Sequence, residues 1–205
     1  MGVRRHSPSR PAAARRKELL MRVITGSARG RRLKDLEGLE TRPTTDRVKE
    51  GIFNIIQFDV EGRRVLDLFA GTGQLGIEAL SRGAASAVFV DQRREAAAVI
   101  RENLKLTGLA GRGRVVCGDA LSFLRSAKER FDIIFLDPPY ASALLEDALK
   151  SISGFDILPN HGIIICESSL EQDMPSIPPP LFLHRNYRYG KTKVTTYRRE
   201  EGQLE

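Results

Sequence analysis

Apolar positions along the middle of the chain switch between two periods. Five short apolar runs, RVLDLF (64–69), SAVFVD (86–91), RVVCGD (114–119), FDIIFLD (131–137) and HGIIICE (161–167), have the length and composition of strands. Between them lie segments of helical period: Gly73 to Ser81, Arg93 to about Leu106, ALSFLRSAKER (120–130) and SALLEDALKS (142–151). In the second of these, Ala96, Val99, Ile100 and Leu104 form the face predicted to be buried. Repeated strand–helix units require crossover connections and hence a parallel sheet. The end of the chain departs from this rhythm. LFLHRNYRYGKTKVTTYRR (181–199) predicts a hairpin turning at Tyr189-Gly190-Lys191, which adds antiparallel strands at one edge.

Upstream, MRVITGSARGRRL (21–33) predicts a small β element whose glycine-rich turn carries Arg29, Arg31 and Arg32. RPTTDRVKEGIFNIIQF (42–58) follows. Pro43 breaks the chain, Thr44 or Thr45 caps a helix, and Asp46 sits in its first turn, where the dipole favours an acid. Val48, Ile52, Ile55 and Ile56 make one apolar stripe, with Arg42, Arg47 and Lys49 expected on or before the opposite face. Residues 1–20, rich in Arg, Ala, Ser and Pro, have no apolar h-region and are not a secretory signal. Met21 is a second candidate initiator, and the segment before it is set apart from the fold as a basic extension.

The strand ends carry the candidate chemistry. Four consecutive strands finish on an acid: Asp67, Asp91, Asp119 and Asp137. In a doubly wound sheet ligands bind at the carboxyl ends of the strands. Gly71, Gly73 and Gly76 have the G-x-G-x-x-G spacing between a strand and a helix, with Asp91 placed 20 residues after Gly71. That is the form of an adenosine-cofactor site, Asp91 accepting the ribose hydroxyls. Asp67 would repel a pyrophosphate at the floor of this loop and attract a ligand of positive charge. S-adenosylmethionine, with an ammonium, a sulfonium and no phosphate, fits. Asp67 reads equally as a helix-capping acid, and the two roles are compatible. Asp119, followed by Ala120, would place a carboxylate by the adenine amino group.

Asp137-Pro138-Pro139-Tyr140 is the most specific signal in the chain. The exocyclic amine of a base is a poor nucleophile because its lone pair is delocalised into the ring. A carboxylate and a carbonyl accepting its two N–H bonds localise that pair. Pro138 and Pro139 stiffen the turn and lack N–H donors, and Tyr140 offers a face on which an extruded base can stack.

Charge adds a partner class. Residues 1–34 hold eleven Lys/Arg against Glu18 alone, a local balance of +10, so the remaining residues sum to −3 against the whole-chain +7. A basic arm on a near-neutral domain points to a polyanion, with nucleic acid favoured. Cys117 and Cys166, without C-x-x-C spacing, read as buried core thiols of a reducing compartment. His6, His161 and His184 lack metal-ligand spacing, and no metal is expected. No apolar run approaches the length of a membrane span.

From Met21 to about Arg199 the chain resembles the RsmD family of class I S-adenosylmethionine-dependent methyltransferases. RPTTDRVKEGIFN, LDLFAGTGQLGIEALSRGA, FVD, GDA, FDIIFLDPPY and the closing YG-x-T hairpin match in order. Gln74 stands where a small residue is expected. The resemblance implies an α/β, Rossmann-like class I methyltransferase fold: a mostly parallel seven-stranded sheet with an antiparallel C-terminal hairpin and a small N-terminal β/helix extension. The division expected is a substrate-side extension (21–60), a methyltransferase domain (61–200) and a tail (201–205), preceded by a basic, disordered extension (1–20) for which the family does not account. It implies a cytoplasmic enzyme methylating the N2 amine of a guanine in 16S ribosomal RNA, free or in a small-subunit assembly intermediate. Asp67, Ala70, Gly71, Thr72, Gly73, Asp91, Gln92, Asp119 and Ala120 would bind the cofactor, and Asp137, Pro138, Pro139 and Tyr140 the target amine. Arg29, Arg31, Arg32, Arg42, Thr44 and Arg47 would face the RNA. Two other readings stand beside it: an amine methyltransferase acting on adenine N6 or another target in DNA or RNA, and a non-catalytic nucleic-acid-binding protein on a decayed Rossmann fold.

Overall fold

The computed structural model describes residues 21–36, 45–138 and 143–199. Seven strands form one sheet: β1 (Arg64–Leu68), β2 (Ser86–Asp91), β3 (Gly113–Cys117), β4 (Ile133–Leu136), β5 (Ile163–Ser169), β6 (Leu181–Tyr189) and β7 (Thr192–Arg199). Their order is β3-β2-β1-β4-β5-β7-β6. The first five are parallel, and β7 pairs antiparallel with both β5 and β6. The chain order reverses at β1, between β2 and β4, where a doubly wound sheet opens a crevice for ligands.

Five helices cover it: α1 (Asp46–Ile55), α2 (Gln74–Ser81), α3 (Arg94–Thr107), α4 (Ala120–Ser126) and α5 (Leu144–Gly154). Period-two alternation along the strands sorts the core onto two faces. Val65, Phe89, Ile133, Phe135 and Ile165 pack with Ile52 and Phe53 of α1, Ile77 and Leu80 of α2, and Ile100 of α3. Leu66, Val90, Ile134, Leu136 and Cys166 pack with Leu124 of α4 and Leu145, Leu149 and Ile152 of α5. Each fully buried side chain of this size contributes about 1.5–3 kcal/mol. Glycine sets one close approach: a Cβ at Gly76 would lie 2.3 Å from the Phe89 ring, so α2 can rest on β2 only without one.

Several details depart from the sequence pattern. The expected β element at 21–33 is reduced to a single antiparallel bridge between Arg22 and Arg32. It stops because the next two donors, Ile24 N–H and Thr25 N–H, turn to the Glu78 carboxylate of α2 at 2.7 and 2.9 Å. Lys49, expected on the outer face of α1, is fully buried. Its Nζ donates to the Arg22 carbonyl at 2.6 Å, 4.0 Å from Asp46, and faces the charge of Glu78. Cys117 is exposed because β3 is an edge strand, whereas Cys166 is buried as expected. Val99 is only half-buried, and Ala97 takes its place in the α3 interface. α4 ends at Ser126, and the segment beyond it brings Glu129 to Arg64 and Arg114. Among the described residues no helix is long and apolar enough to cross a membrane.

Candidate active site at the carboxyl edge of the sheet

The turn after β1 is pinned from both sides by carboxylates. Asp67 Oδ2 accepts from Gly76 N–H at 2.9 Å and so holds the first turn of α2 over itself. Asp91 Oδ2 accepts from Gly71 N–H at 2.9 Å. Between them the backbone is contorted. Phe69 has φ 69°, a left-handed conformation that costs a side-chain-bearing residue about 1–3 kcal/mol. Gly73, at φ 77°, precedes the first helical residue, and its N–H closes on the Ala70 carbonyl at 2.7 Å. The strained loop is therefore held by its surroundings, with bare glycine backbone at the crevice.

Three acids share one face here. Asp67 lies opposite Phe135 in the register of β1 and β4, so Asp137 is two residues further along the same side of the sheet. Leu136 lies opposite Cys166, so the register carried one step on sets Glu167 beside Asp137. Burial pushes the Asp67 carboxyl up to about 7; the Gly76 N–H opposes this and the Asp91 charge adds to it. Asp137 is raised well above the usual carboxylate range, first by removal from water, then by the charges of Glu167 and Asp67. The edge thus disfavours the charged forms of these acids, which a cation or a set of N–H donors would stabilise.

Asp91 and Asp119 differ from this pair. Asp91 accepts from Gly71 N–H and from the Arg93 backbone N–H, and also from Arg93 Nε and Nη2 at 3.0 and 3.1 Å. A carboxylate has about four lone-pair sites, so its capacity is filled. A further hydroxyl donor could bond it only if the Arg93 side chain swings away. Asp119 is exposed and caps α4, accepting from Ser122 N–H at 2.8 Å; its bonds with Ser122 hold its carboxyl below the usual range.

The remaining expected residues are spread more widely. Ala70, Thr72 and Ala120 are buried, Gln92 is exposed, and Pro138 is buried next to Asp137. Arg47 is exposed on α1, and Arg29, Arg31 and Arg32 are exposed on the arm. The arm's turn docks on the carboxyl end of α2, where Ser27 N–H and Ala28 N–H donate to the Ser81 carbonyl and Oγ at 2.8 and 2.9 Å. An eight-residue helix is about 12 Å long, so Arg29 stands at the far end of α2 from the glycine loop. The structure does not gather it with the acids. Arg42, Thr44, Pro139 and Tyr140, like residues 1–20 and 201–205, lie outside the described residues.

Four polar residues here escaped sequence reasoning. Glu78 and Lys49 tie α1, α2 and the arm together. Asn103 donates to the carbonyls of Thr72 and Lys34 at 3.0 and 3.1 Å and accepts from Lys34 N–H at 2.7 Å, fastening the arm to the glycine loop. Its signal was a polar residue seven after Ala96 and three after Ile100, on the apolar stripe of α3. Glu167 ends the fifth apolar run as the other acids end theirs, and that shared position was its signal. Gln74 Oε1, in the turn held by Asp67, is buried without a hydrogen-bond partner. Among the described residues no group of three His, Cys, Asp or Glu is arranged to hold a metal.

Comparison with known proteins agrees with this arrangement. The family model described as conserved hypothetical protein 95 matches residues 21–198. YlbH of Bacillus subtilis is 44% identical over 182 residues, covering 87% of this chain and 99% of YlbH. Ribosomal RNA small subunit methyltransferase D of Escherichia coli is 38% identical over 180 residues, covering 88% of this chain and 90% of that protein. The solved structure of yhhF from Escherichia coli superposes with a TM-score of 0.78 at 39% identity, covering 88% of this chain and 98% of that one. With matches that span the sheet, the glycine loop and the acid-lined edge, the chain belongs to the conserved hypothetical protein 95 family of methyltransferases, the RsmD family.

Proposed function

We propose that this protein transfers a methyl group from S-adenosylmethionine to the exocyclic N2 amine of a guanine in small-subunit ribosomal RNA. The observation that carries the reading is the pair of carboxylates, Asp67 buried and Asp137 half-buried, on one face of the sheet at its carboxyl edge, both held above the usual carboxylate range. A site that buries one acid and half-buries a second beside it favours a cation and N–H donors. Gln74 Oε1, a buried acceptor with no partner, fits the same ligand chemistry.

When bound, the cofactor supplies an electrophilic methyl on a sulfonium. The protein's own residues then do three things. Asp67 and the Gly71–Gly73 backbone receive the charged end of the cofactor, and Asp91, once Arg93 swings away, receives the ribose. Asp137 and the Pro138 carbonyl accept the two N–H bonds of the target amine and turn its lone pair toward the methyl. Asp137 in its ionised form would accept the proton released from N2, its raised proton affinity suiting it to the task, while the bonding electron pair stays on the cofactor's sulfur. Arg47 and the basic arm would contact phosphates. Action on ribosomal RNA would fit a cytoplasmic protein.

Asp137→Ala tests the reading. Single-turnover transfer of labelled methyl to 16S rRNA or immature small subunits should be abolished while RNA affinity stays within about threefold, because the contact strengthens in the transition state. Near-normal turnover by the variant would reject the mechanism.

A further inference from the structure

Glu167 is a buried acid that the mechanism above leaves without a task. It lies within β5, two residues before the strand's end, while Asp137 follows directly on β4, and the parallel register Leu136↔Cys166 carried one step on sets the two side by side. Along β5, Ile163 and Ile165 pack on the α1–α2 face while Ile164 and Cys166 pack on the other. Alternation therefore returns Glu167 to the face of Asp67 and Asp137. Opposite it on β7 stands Val194, fully buried, so apolar surface backs this position. A separate observation points to a donor-rich ligand at this edge: Gln74 Oε1, in the turn held over Asp67, is more than nine-tenths buried and unpartnered.

A base able to satisfy two adjacent carboxylates must present N–H groups on neighbouring atoms. Guanine does so, with N1–H next to the N2 amine. Adenine does not, because the ring nitrogen next to its amine is a bare acceptor. We infer that Glu167 is a specificity-determining residue that accepts the N1–H of the target guanine while Asp137 accepts from its N2 amine. The inference rests on the guanine-N2 reading above and adds the group that excludes adenine. A carboxylate set against a ring lone pair meets repulsion in place of a hydrogen bond. A site built to bond a substrate N–H rejects the analogue lacking it far more strongly than a pocket rejects a missing methylene.

The test uses 2-aminopurine, which keeps the 2-amine but has an acceptor lone pair at N1. In substrate RNA the methylated guanine is replaced by 2-aminopurine, and single-turnover methyl transfer is measured for wild type and Glu167→Gln. Wild type should prefer guanine by roughly 100-fold or more. Glu167→Gln should lose transfer to guanine and narrow the preference at least tenfold, since its amide can donate to the N1 lone pair. Cofactor affinity should stay within about threefold. Equal preference in the two proteins would overturn the inference. So would wild type methylating 2-aminopurine as fast as guanine, a comparison that stands even where Glu167→Gln fails to fold. Wild type that methylates no guanine in small-subunit RNA would instead overturn the function reading, and the inference with it.

Discussion

Asp67→Asn separates stability from function, because the structure stores an unfavourable charge at this position. The Asp67 carboxyl is nearly fully buried and pushed up to about 7, against about 3.9 in an unfolded chain. The sign follows from proton counts. Between about pH 4 and pH 7 the native state holds the Asp67 proton and the unfolded state does not, so this group's stabilising contribution is full below pH 4 and falls as pH rises to 7. From pH 5 to pH 8 about two pKa units of this fall take place, or about 2.7 kcal/mol. Asparagine keeps an acceptor for Gly76 N–H and never ionises. At pH 5 its buried NH2 costs about 1–3 kcal/mol if it finds no acceptor. At pH 8 that cost is offset. The melting temperature of Asp67→Asn minus that of wild type should therefore rise by about 5–10 °C between pH 5 and pH 8, at 2–4 °C per kcal/mol for a chain of this size. The charge gradient that destabilises the free protein is also what attracts a cation. Wild-type affinity for S-adenosylmethionine should climb with pH, by up to about tenfold per unit below 7, and the variant should lose this dependence together with most of its affinity. Differential scanning fluorimetry and isothermal titration at matched ionic strength make both measurements. A melting-temperature difference that stays constant from pH 5 to pH 8 would refute the reasoning, and so would unaltered cofactor affinity.

Two further substitutions examine the surroundings of the site. Arg93→Ala should leave cofactor affinity unchanged or raise it a few-fold, since Arg93 fills Asp91 acceptor sites that the ribose needs, and its half-exposed ion pair contributes at most about 1 kcal/mol to stability; a tenfold loss of affinity in the titration would show that Arg93 grips the ligand instead. Glu78→Ala removes the acceptor for Ile24 N–H, Thr25 N–H and Arg82 Nε and strands the buried Lys49 charge. Breaking a buried ionic network from one side costs about 3–5 kcal/mol. Urea denaturation should show that loss, and a change below 1 kcal/mol would return the contact to a marginal role.

The sheet was legible in the sequence because its five parallel strands are short apolar runs with an acid at the end, and the hairpin has its own period. β1, β2 and the α2 boundary fall within a residue or two of the pattern. Asp67 and Asp137 were legible for a related reason: an acid closing an apolar strand is conspicuous. Glu167 closes the fifth apolar run in the same way, but β5 continues past it to Ser169 and no glycine or proline motif follows it directly, so its acid drew no notice. Lys49 and Glu78 were illegible for a physical reason. Helical periodicity assigns charged residues to the solvent, and only tertiary contact reveals that two of them neutralise one another across α1 and α2. The filled acceptors of Asp91 are likewise a property of the Arg93 rotamer, which no pattern of residue types encodes.

The placement of these hidden polar residues bears on how substrate and cofactor sites communicate. α2 is held at both ends: its first turn by Asp67 through Gly76, its last by the arm at Ser27 and Ala28. Glu78, in the middle, fixes the arm's Ile24 and Thr25. Asn103 joins Lys34 of the arm to Thr72 of the glycine loop, and the Thr72 hydroxyl touches the Met21 sulfur. Among the described residues the arm is thus joined to α2 and to the glycine loop by buried and part-buried hydrogen bonds. Such an arm cannot swing as a free lid, because each of these bonds left unmade in the interior costs about 1–3 kcal/mol. The basic residues on it are presented at a fixed distance from the acids that would hold the cofactor. Were RNA phosphates to bind that surface, they would be held at a set distance from the carboxyl edge, and part of the entropy of aligning the two substrates would be met by folding.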